Sequence, residues 1–194
     1  MKPCLSLRQL LVLTVAAASV WLTACAPLVI GGAATAVVVA DDRRSTGVFI
    51  DDENIETRAL FRVKNRFGEQ VHVNITSYNR QVLLSGEATT EAVRQGVEQE
   101  VSAVPGVKRV FNEMTVGPLA SLLASSNDSR LTTIFKARFL DAKGFQANHV
   151  KVVTEAGVVY LLGMVKRSEA DAATQVASTT AGVKRVVRLF EYLD

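Results

Sequence analysis

The sequence contains little cysteine and little histidine: Cys4, Cys25, His72 and His149 are the only residues of these two types among 194. Two cysteines cannot supply the disulfide framework of a small secreted domain. Neither histidine has a second histidine, a cysteine or a cluster of carboxylates near it in the sequence, although zinc and transition-metal sites are built from such groups. This scarcity argues against a metal site.

Motifs for catalysis and nucleotide binding are also missing. No glycine-rich loop with the spacing of a phosphate-binding motif precedes a predicted helix. No Gly-x-Ser-x-Gly sequence marks a hydrolase nucleophile. We therefore expect a protein that is not an enzyme and that has neither a cofactor nor a small-molecule substrate.

The charge of the chain is nearly balanced once its N-terminal segment is set aside. Lys2 and Arg8 belong to a segment interpreted below as a leader, and the remaining chain contains 20 basic and 19 acidic residues. A nucleic-acid-binding domain usually shows a marked basic excess, so no nucleic-acid partner is expected. With 48% hydrophobic residues, the chain is also too apolar to be disordered.

The first 24 residues have the three parts of a secretory signal peptide. Lys2 and Arg8 form the positive part, residues 10–20 are apolar, and residues 22–25 read Leu-Thr-Ala-Cys. These four residues resemble the lipobox of bacterial lipoproteins. The resemblance implies cleavage before Cys25 and attachment of a diacylglyceryl group and fatty acids such as palmitate to this residue. The alternatives are an ordinary signal peptide with an incidental cysteine, or an uncleaved anchor helix.

The segment after Cys25 has the composition of a tether. Ala26-Pro27 lacks the aspartate of inner-membrane retention, so the lipobox resemblance implies anchoring in the outer membrane, with the rest of the chain in the periplasm. Residues 27–40 are rich in Gly, Ala and Val, and this apolar run is too short and too flexible to span a bilayer. The predicted organisation thus begins with a signal peptide at 1–24 and a lipidated cysteine with a flexible tether at 25–50.

The remaining chain contains an internal repeat. Residues 51–116 and 128–194 share apolar residues at four-residue spacing, a histidine, a glycine and a Gly-Val-Lys-Arg-Val sequence. The copies are offset by 76 residues at both ends and by 77 between the histidines and the glycines, so the length changes fall between predicted elements. This pattern indicates two tandem modules, joined by a linker at 117–127 that contains Gly-Pro and Ser-Ser-Asn.

Within each copy the periodicity predicts the same order of elements. Apolar residues recur at four-residue spacing behind Asp52 or Asp128, each a predicted helix cap. Alternation with a period of two then indicates a hairpin, and a second helix and a third alternating run follow. The predicted fold class is α+β: each module is αββαβ, with a three-stranded mixed sheet packed on two helices.

This order of elements resembles the BON module (bacterial OsmY and nodulation). The resemblance rests on the glycines that close the hairpins, Gly86 and Gly163, and on the Gly-Val-Lys-Arg-Val sequences that begin at Gly106 and Gly182. A lipobox leader followed by two such modules resembles the outer-membrane lipoproteins with two BON domains, over essentially the whole chain. The resemblance implies a non-enzymatic role in outer-membrane integrity through contact with anionic phospholipid.

Charge and helix geometry favour the second module for this contact. The second copy has a net charge of +3 and the first copy of −2. The candidate phospholipid-binding residues lie on the side of the first helix opposite its apolar stripe: Arg130, Thr133, Lys136, Ala137 and Leu140. We expect Leu140 to enter the lipid boundary. Leu60 and Phe61 occupy the corresponding face of the first module and are expected to pack between the modules.

Two other functions remain open at this point. The chain could be a periplasmic stress chaperone or a scaffold that binds envelope proteins, in which case no lipid preference is expected. It could also regulate cell-wall enzymes through protein partners, for which the sequence indicates no particular residue.

Overall fold

The computed structural model describes residues 42–119 and 122–194, with the side chains of residues 122–129 and of Lys136 excepted. The predicted signal peptide, the lipid attachment at Cys25 and the tether up to residue 41 lie outside the described residues. Residues 41–194 form one compact unit. This unit contains the three apolar clusters described below.

The first module has the predicted order of elements. Helix α1 begins behind Ser45, whose hydroxyl accepts a hydrogen bond from Val48 N over 3.3 Å. The apolar residues at four-residue spacing form its buried stripe: Ile55, Ala59 and Val63. The elements are α1 (Thr46–Phe67), a 3-10 turn (Gly68–Gln70), β1 (Val71–Tyr78), β2 (Gln81–Ala88), α2 (Glu91–Ser102), β3 (Arg109–Asn112) and β4 (Thr115–Val116).

A mixed sheet forms the second layer of this module. Strands β1 and β2 pair antiparallel around Asn79 and Arg80, whose φ values of 51° and 64° are typical of a two-residue type I′ turn. Helix α2 then carries the chain across to β3, which pairs with β2 in parallel, as does the short β4. The strand order is β1-β2-β3, and β4 adds a fourth strand to the three that the repeat pattern predicts.

The second module repeats this architecture. Its elements are α3 (Leu122–Asp141), a 3-10 turn (Ala147–His149), β5 (Lys151–Glu155), β6 (Val158–Val165), α4 (Arg167–Ser178) and β7 (Arg185–Tyr192). Strands β5 and β6 are antiparallel, and β6 and β7 are parallel. The ring of Phe139 meets Phe135 and Phe145 edge to face in the core. The predicted αββαβ order is therefore confirmed in both copies.

Gly86 and Gly163 mark equivalent places where a strand approaches the neighbouring backbone too closely for a side chain. A Cβ atom at Gly86 would lie 2.2 Å from the carbonyl oxygen of His72, and one at Gly163 would lie 2.4 Å from the carbonyl oxygen of His149. The backbone of the neighbouring segment thus fills the space that a Cβ atom needs. This close approach explains the glycine at this position of each repeat.

The helix starts differ from the sequence expectations. Asp52 does not cap α1 but lies inside it, because Ser45 is the cap and the helix extends into the predicted tether. Residue 128 likewise lies inside α3, which begins at Leu122 within the predicted linker. The buried stripe shows only where a helix meets the core, whereas the helix itself continues upstream to the nearest cap or break.

The two sheets pack against each other through the faces that the helices leave open. The residues shared between them form one buried cluster: Tyr78, Leu83, Tyr160, Leu162 and Leu189. On the opposite faces, separate clusters join α1 and α2 to the first sheet and α3 and α4 to the second. The layers therefore run from the helices of the first module through the two sheets to the helices of the second.

The structure contradicts the expectation that Leu60 and Phe61 pack between the modules. Both side chains lie on the outer side of α1, with exposed fractions of 38% and 67%. The reason is geometric: the modules meet through their sheets, so α1 belongs to an outer layer. Glu56 of α1 still reaches Lys151 of the second module, whereas Leu60 and Phe61 lie on the exposed side of the helix.

Candidate membrane-contacting surface

Helix α3 brings most of the predicted phospholipid contacts onto one exposed face. Four of the five residues are exposed on the side away from the core: Arg130, Thr133, Ala137 and Leu140. Leu140 is 77% exposed. From Arg130 to Leu140 the face is about 15 Å long. The fifth residue, Lys136, belongs to the same helix, and its side chain lies outside the described residues.

Arg138 does not belong to the outward face, because it connects α3 to the end of α4. Its guanidinium donates hydrogen bonds to the hydroxyls of Thr179 and Thr180, just beyond the end of α4. The apolar side of α3 contributes Leu131 and Phe135 to the core. Helix α3, which displays the outward face, is therefore fixed both by apolar contacts with the core and by hydrogen bonds to the end of α4.

The outward face combines an apolar and a basic side chain, which suits the surface of a membrane with apolar acyl chains beneath anionic head groups. Leu140 can enter an acyl boundary, while the guanidinium of Arg130 can remain among phosphate groups. Within residues 42–119 and 122–194, no helix is both long enough and apolar enough to cross a membrane.

The two histidines lie in different surroundings. The Nδ1 atom of His72 is 3.1 Å from Oε2 of Glu87, and half of the His72 side chain is exposed. His149 is buried in the second module. Across the described ranges, no group of three or more His, Cys, Asp or Glu side chains is arranged to hold a metal ion.

The residues that join the two modules were missed by sequence reasoning. A signal was present, because residues 82–84 and 158–162 are unbroken apolar runs, which are typical of strands buried on both faces. Polar contacts surround the shared cluster. Asn74 Nδ2 donates to Glu155 Oε2 over 2.6 Å, and Lys151 Nζ lies 3.1 Å from Glu56 Oε1.

The segment before α1 was read as part of a flexible tether, but its last residues are fixed. Arg44 forms ion pairs with Asp42 and Asp52 over 2.6 and 2.8 Å, and its guanidinium lies 4.1 Å from the centre of the Tyr78 ring. Burial raises the pKa of Asp42, but the hydrogen bonds from Arg44 outweigh this effect and leave the pKa below its usual value. Arg43 pairs with Glu169 of the second module.

Asp52 holds the first hairpin from inside α1. Its carboxylate is almost fully buried and accepts hydrogen bonds from Ser77 Oγ, Asn79 N and Arg80 N over 2.6, 2.9 and 2.7 Å. This carboxylate therefore satisfies the backbone donors of the β1–β2 turn and, at the same time, the guanidinium of Arg44.

Two αββαβ modules that share a sheet-to-sheet core define a tandem-module α+β protein. The family model described as "BON domain" matches residues 51–118 and residues 127–194. The chain belongs to the BON-domain family.

Curated relatives refine this assignment. The outer membrane lipoprotein DolP of Haemophilus influenzae is 42% identical over 184 residues, which cover 91% of this chain and 93% of that protein. The 21 kDa hemolysin of Actinobacillus pleuropneumoniae is 33% identical and covers 79% of this chain, with 80% of its own length matched. The osmotically-inducible protein Y of Escherichia coli is 26% identical, with 76% of each chain covered.

These similarities confirm the predicted class and location. The chain is an envelope-associated, outer-membrane lipoprotein with two BON domains. The predicted lipid-anchored location, with the modules facing the periplasm, agrees with the relationship to the Haemophilus influenzae protein.

Proposed function

We propose that this chain is a non-enzymatic lipoprotein that binds anionic phospholipid, mainly through the outward face of α3 in the second BON domain. The observation that carries the proposal is the exposure of Leu140 on the same helix face as Arg130. The role of this contact is to help maintain outer-membrane integrity. The lipid on Cys25 holds the chain at the membrane, and α3 binds the anionic head groups of the phospholipids.

The expected affinity of the face is weak. Complete burial of a leucine contributes about 1.5–3 kcal/mol, and each basic residue near an anionic surface contributes about 1 kcal/mol. Leu140, Arg130 and Lys136 together give about 4 kcal/mol, which corresponds to a dissociation constant of about 1 mM. Such a contact needs the anchor, because the anchor keeps the local lipid concentration high.

The charge of the second module supports the choice of α3. This module contains 10 basic and 7 acidic residues, against 8 and 10 in the first. Some of its other cations are held in ion pairs, Arg185 with Glu113 and Arg188 with Asp171. Arg130 is exposed on α3, where its charge can meet a phosphate group.

Co-sedimentation with vesicles tests the proposal. The protein is used without residues 1–25, so that no lipid anchor is present; every described core residue is retained. Vesicles of phosphatidylcholine alone are compared with vesicles that also contain phosphatidylglycerol, at millimolar lipid and at low and high salt. We expect binding only to the anionic vesicles and loss of binding at high salt, because salt screens exposed charges.

Charge reversal then tests the face. Arg130→Glu combined with Lys136→Glu removes at least about 2 kcal/mol, or about thirtyfold in affinity, and Leu140→Ser should weaken binding as well. The matched control is Arg167→Glu combined with Arg188→Glu, which reverses two exposed cations on α4 and β7 of the same module. We expect the control to bind nearly as well as the wild type.

The other outcomes are informative. An equal loss in the control would contradict the assignment to α3, since binding would then depend on the net charge of the module. Absence of binding to either kind of vesicle would contradict the proposal itself. The partners would then be sought among envelope and cell-wall proteins, as expected for a chaperone or a scaffold.

A further inference from the structure

Helix α1 of the first module displays the face that corresponds to the proposed lipid surface of α3. An offset of 76 residues aligns the buried stripe of α1, at positions 55, 59 and 63, with that of α3. The same offset matches the five predicted phospholipid-contacting positions of α3 with five exposed positions of α1. These are Asn54, Thr57, Leu60, Phe61 and Lys64.

In both helices the matched positions include a lysine and a large apolar residue, but in opposite order along the sequence. Leu60 corresponds to Lys136, and Lys64 corresponds to Leu140. Beside Leu60, Phe61 is 67% exposed, and Ile50 adds a further exposed apolar side chain near the start of α1. A group of exposed apolar residues with polar neighbours is typical of an interaction surface.

A groove of about 540 Å³ adjoins this face, between the end of α1 and β1, the edge strand of the first sheet. Its apolar walls include Leu60, Val63 and Val71, and its polar lining includes Lys64 and Glu69. Because Glu69 and His72 line the groove together with Lys64, the charge of the groove alone does not favour an anionic molecule.

The cations near Phe61 favour an anionic surface over a second copy of the chain. Arg58 and Lys64 are exposed, and each is three residues from Phe61. Residues three apart are neighbours on the surface of a helix, so a cation lies on each side of Phe61. A symmetric contact between two α1 faces would bring these cations together, and like charges across an interface are unfavourable. An anionic membrane offers them opposite charges and gives Phe61 an apolar boundary.

We propose that this α1 face is a second surface for anionic phospholipid. The inference rests on the function proposed for α3. Because the two modules pack sheet to sheet, α1 and α3 belong to opposite outer layers, and a flat bilayer in contact with one helix cannot reach the other. One molecule can therefore bind two membranes at the same time, one through α1 and one through α3.

Vesicle clustering separates a protein with two lipid surfaces from a protein with one. The chain without residues 1–25 is mixed with vesicles that contain phosphatidylglycerol; co-sedimentation measures binding, and dynamic light scattering measures clustering. The wild type should bind and cluster the vesicles. Phe61→Ser with Lys64→Glu should keep most of the binding, through α3. Leu140→Ser with Arg130→Glu should keep only weaker binding, through α1. Neither variant should cluster the vesicles. The combination of all four substitutions should lose binding.

The control variant is Val116→Ser combined with Arg109→Glu. It replaces one exposed apolar residue and one exposed cation of the first module outside α1, and it should cluster vesicles as the wild type does. Sedimentation equilibrium should give the mass of a monomer. A dimer would overturn the proposal, because two copies with one lipid surface each would also cluster vesicles.

The two proposals fail in different ways. Binding of the wild type without clustering would overturn the second surface and leave the function of α3 intact. Clustering that survives Phe61→Ser with Lys64→Glu would also overturn it. Absence of binding by the wild type would contradict both proposals.

Discussion

Arg43 donates hydrogen bonds from both terminal nitrogens of its guanidinium to the carboxylate of Glu169, over 2.6 and 2.7 Å. One of these nitrogens also donates to the carbonyl oxygen of Met164 over 2.8 Å. The next residue, Arg44, pairs with Asp52 of the first module. The segment that leads from the predicted tether into α1 is therefore attached to both modules, so the chain enters the fold at their junction.

Replacement of Arg43 by alanine should reduce the free energy of unfolding in a way that depends on pH. The hydrogen bonds from Arg43 lower the pKa of Glu169 from 4.5 to about 2. A carboxylate with a lowered pKa in the folded state stabilises the fold above its unfolded pKa and loses this effect as the pH falls toward the folded value. The contribution of the pair, about 1 kcal/mol for partly exposed groups, should be complete at neutral pH and disappear between pH 4.5 and about 2.

Urea unfolding of the wild type and of Arg43→Ala at several pH values measures this contribution. Lys108→Ala is the control, because Lys108 is an exposed cation, and its replacement should leave the free energy of unfolding nearly unchanged at each pH. A difference between Arg43→Ala and the wild type that keeps its size in acid would show that the pair with Glu169 is not its source.

Asp52→Ala should destabilise the protein far more than Asp51→Ala, although the two residues are neighbours. Removal of Asp52 leaves the buried guanidinium of Arg44 with one ion pair fewer and removes an acceptor from the Asn79 and Arg80 amides. Loss of one partner of a buried ion pair costs about 3–5 kcal/mol. Asp51 forms a partly exposed pair with Arg80, worth about 1 kcal/mol at most. Chemical unfolding compares the two variants, and equal effects would contradict the role assigned to Asp52.

The periodic sequence predicted the elements of each module because helix and strand patterns are local. The stripe of Ile55, Ala59 and Val63 and the turn at Asn79 and Arg80 depend on residues a few positions apart. The contact of Arg43 with Glu169 joins residues 126 positions apart. No local pattern can indicate a contact of this kind.

The exposed helix faces also differ in how far the sequence predicts them: the exposure of one face follows from local periodicity, and that of the other depends on how the modules pack. The exposure of Leu140 follows from its position on a helix opposite a buried stripe, so the helical projection predicted it. The exposure of Phe61 could not be predicted in this way, because an apolar residue on an outward face is equally suited to a module interface. Only the packing of Leu83 against the second sheet decides that α1 is an outer element.

Gly86→Ala should lower the stability of the first module by at least about 2 kcal/mol, because the backbone strain alone costs about 1–3 kcal/mol. The φ value of Gly86 is 112°, and an added Cβ atom would meet the His72 carbonyl oxygen at 2.2 Å. Gly117→Ala is the control, since no atom lies within 4 Å of a Cβ atom at this position, and a surface substitution changes stability by about 0.5 kcal/mol or less. Thermal unfolding should show a lower midpoint for Gly86→Ala alone, and equal midpoints would contradict the close approach of the two strands.

Leu83→Ala should weaken the contact between the modules, whereas Leu84→Ala should weaken the first module itself. Both leucines belong to β2 and are fully buried, but Leu83 packs in the cluster shared by the two sheets and Leu84 packs against the helices of its own module. Each truncation costs about 2–5 kcal/mol, so the two variants differ mainly in which contact they remove.

Differential scanning calorimetry distinguishes these effects. The wild type should unfold in one cooperative transition, because the shared cluster couples the two cores. Leu84→Ala should keep one transition at a lower temperature, while Leu83→Ala should split the transition into two, one for each module. A single transition in Leu83→Ala at the temperature of Leu84→Ala would show that the coupling does not depend on this cluster, and the polar contacts of Glu56, Glu155 and Glu169 would then be the next to be removed.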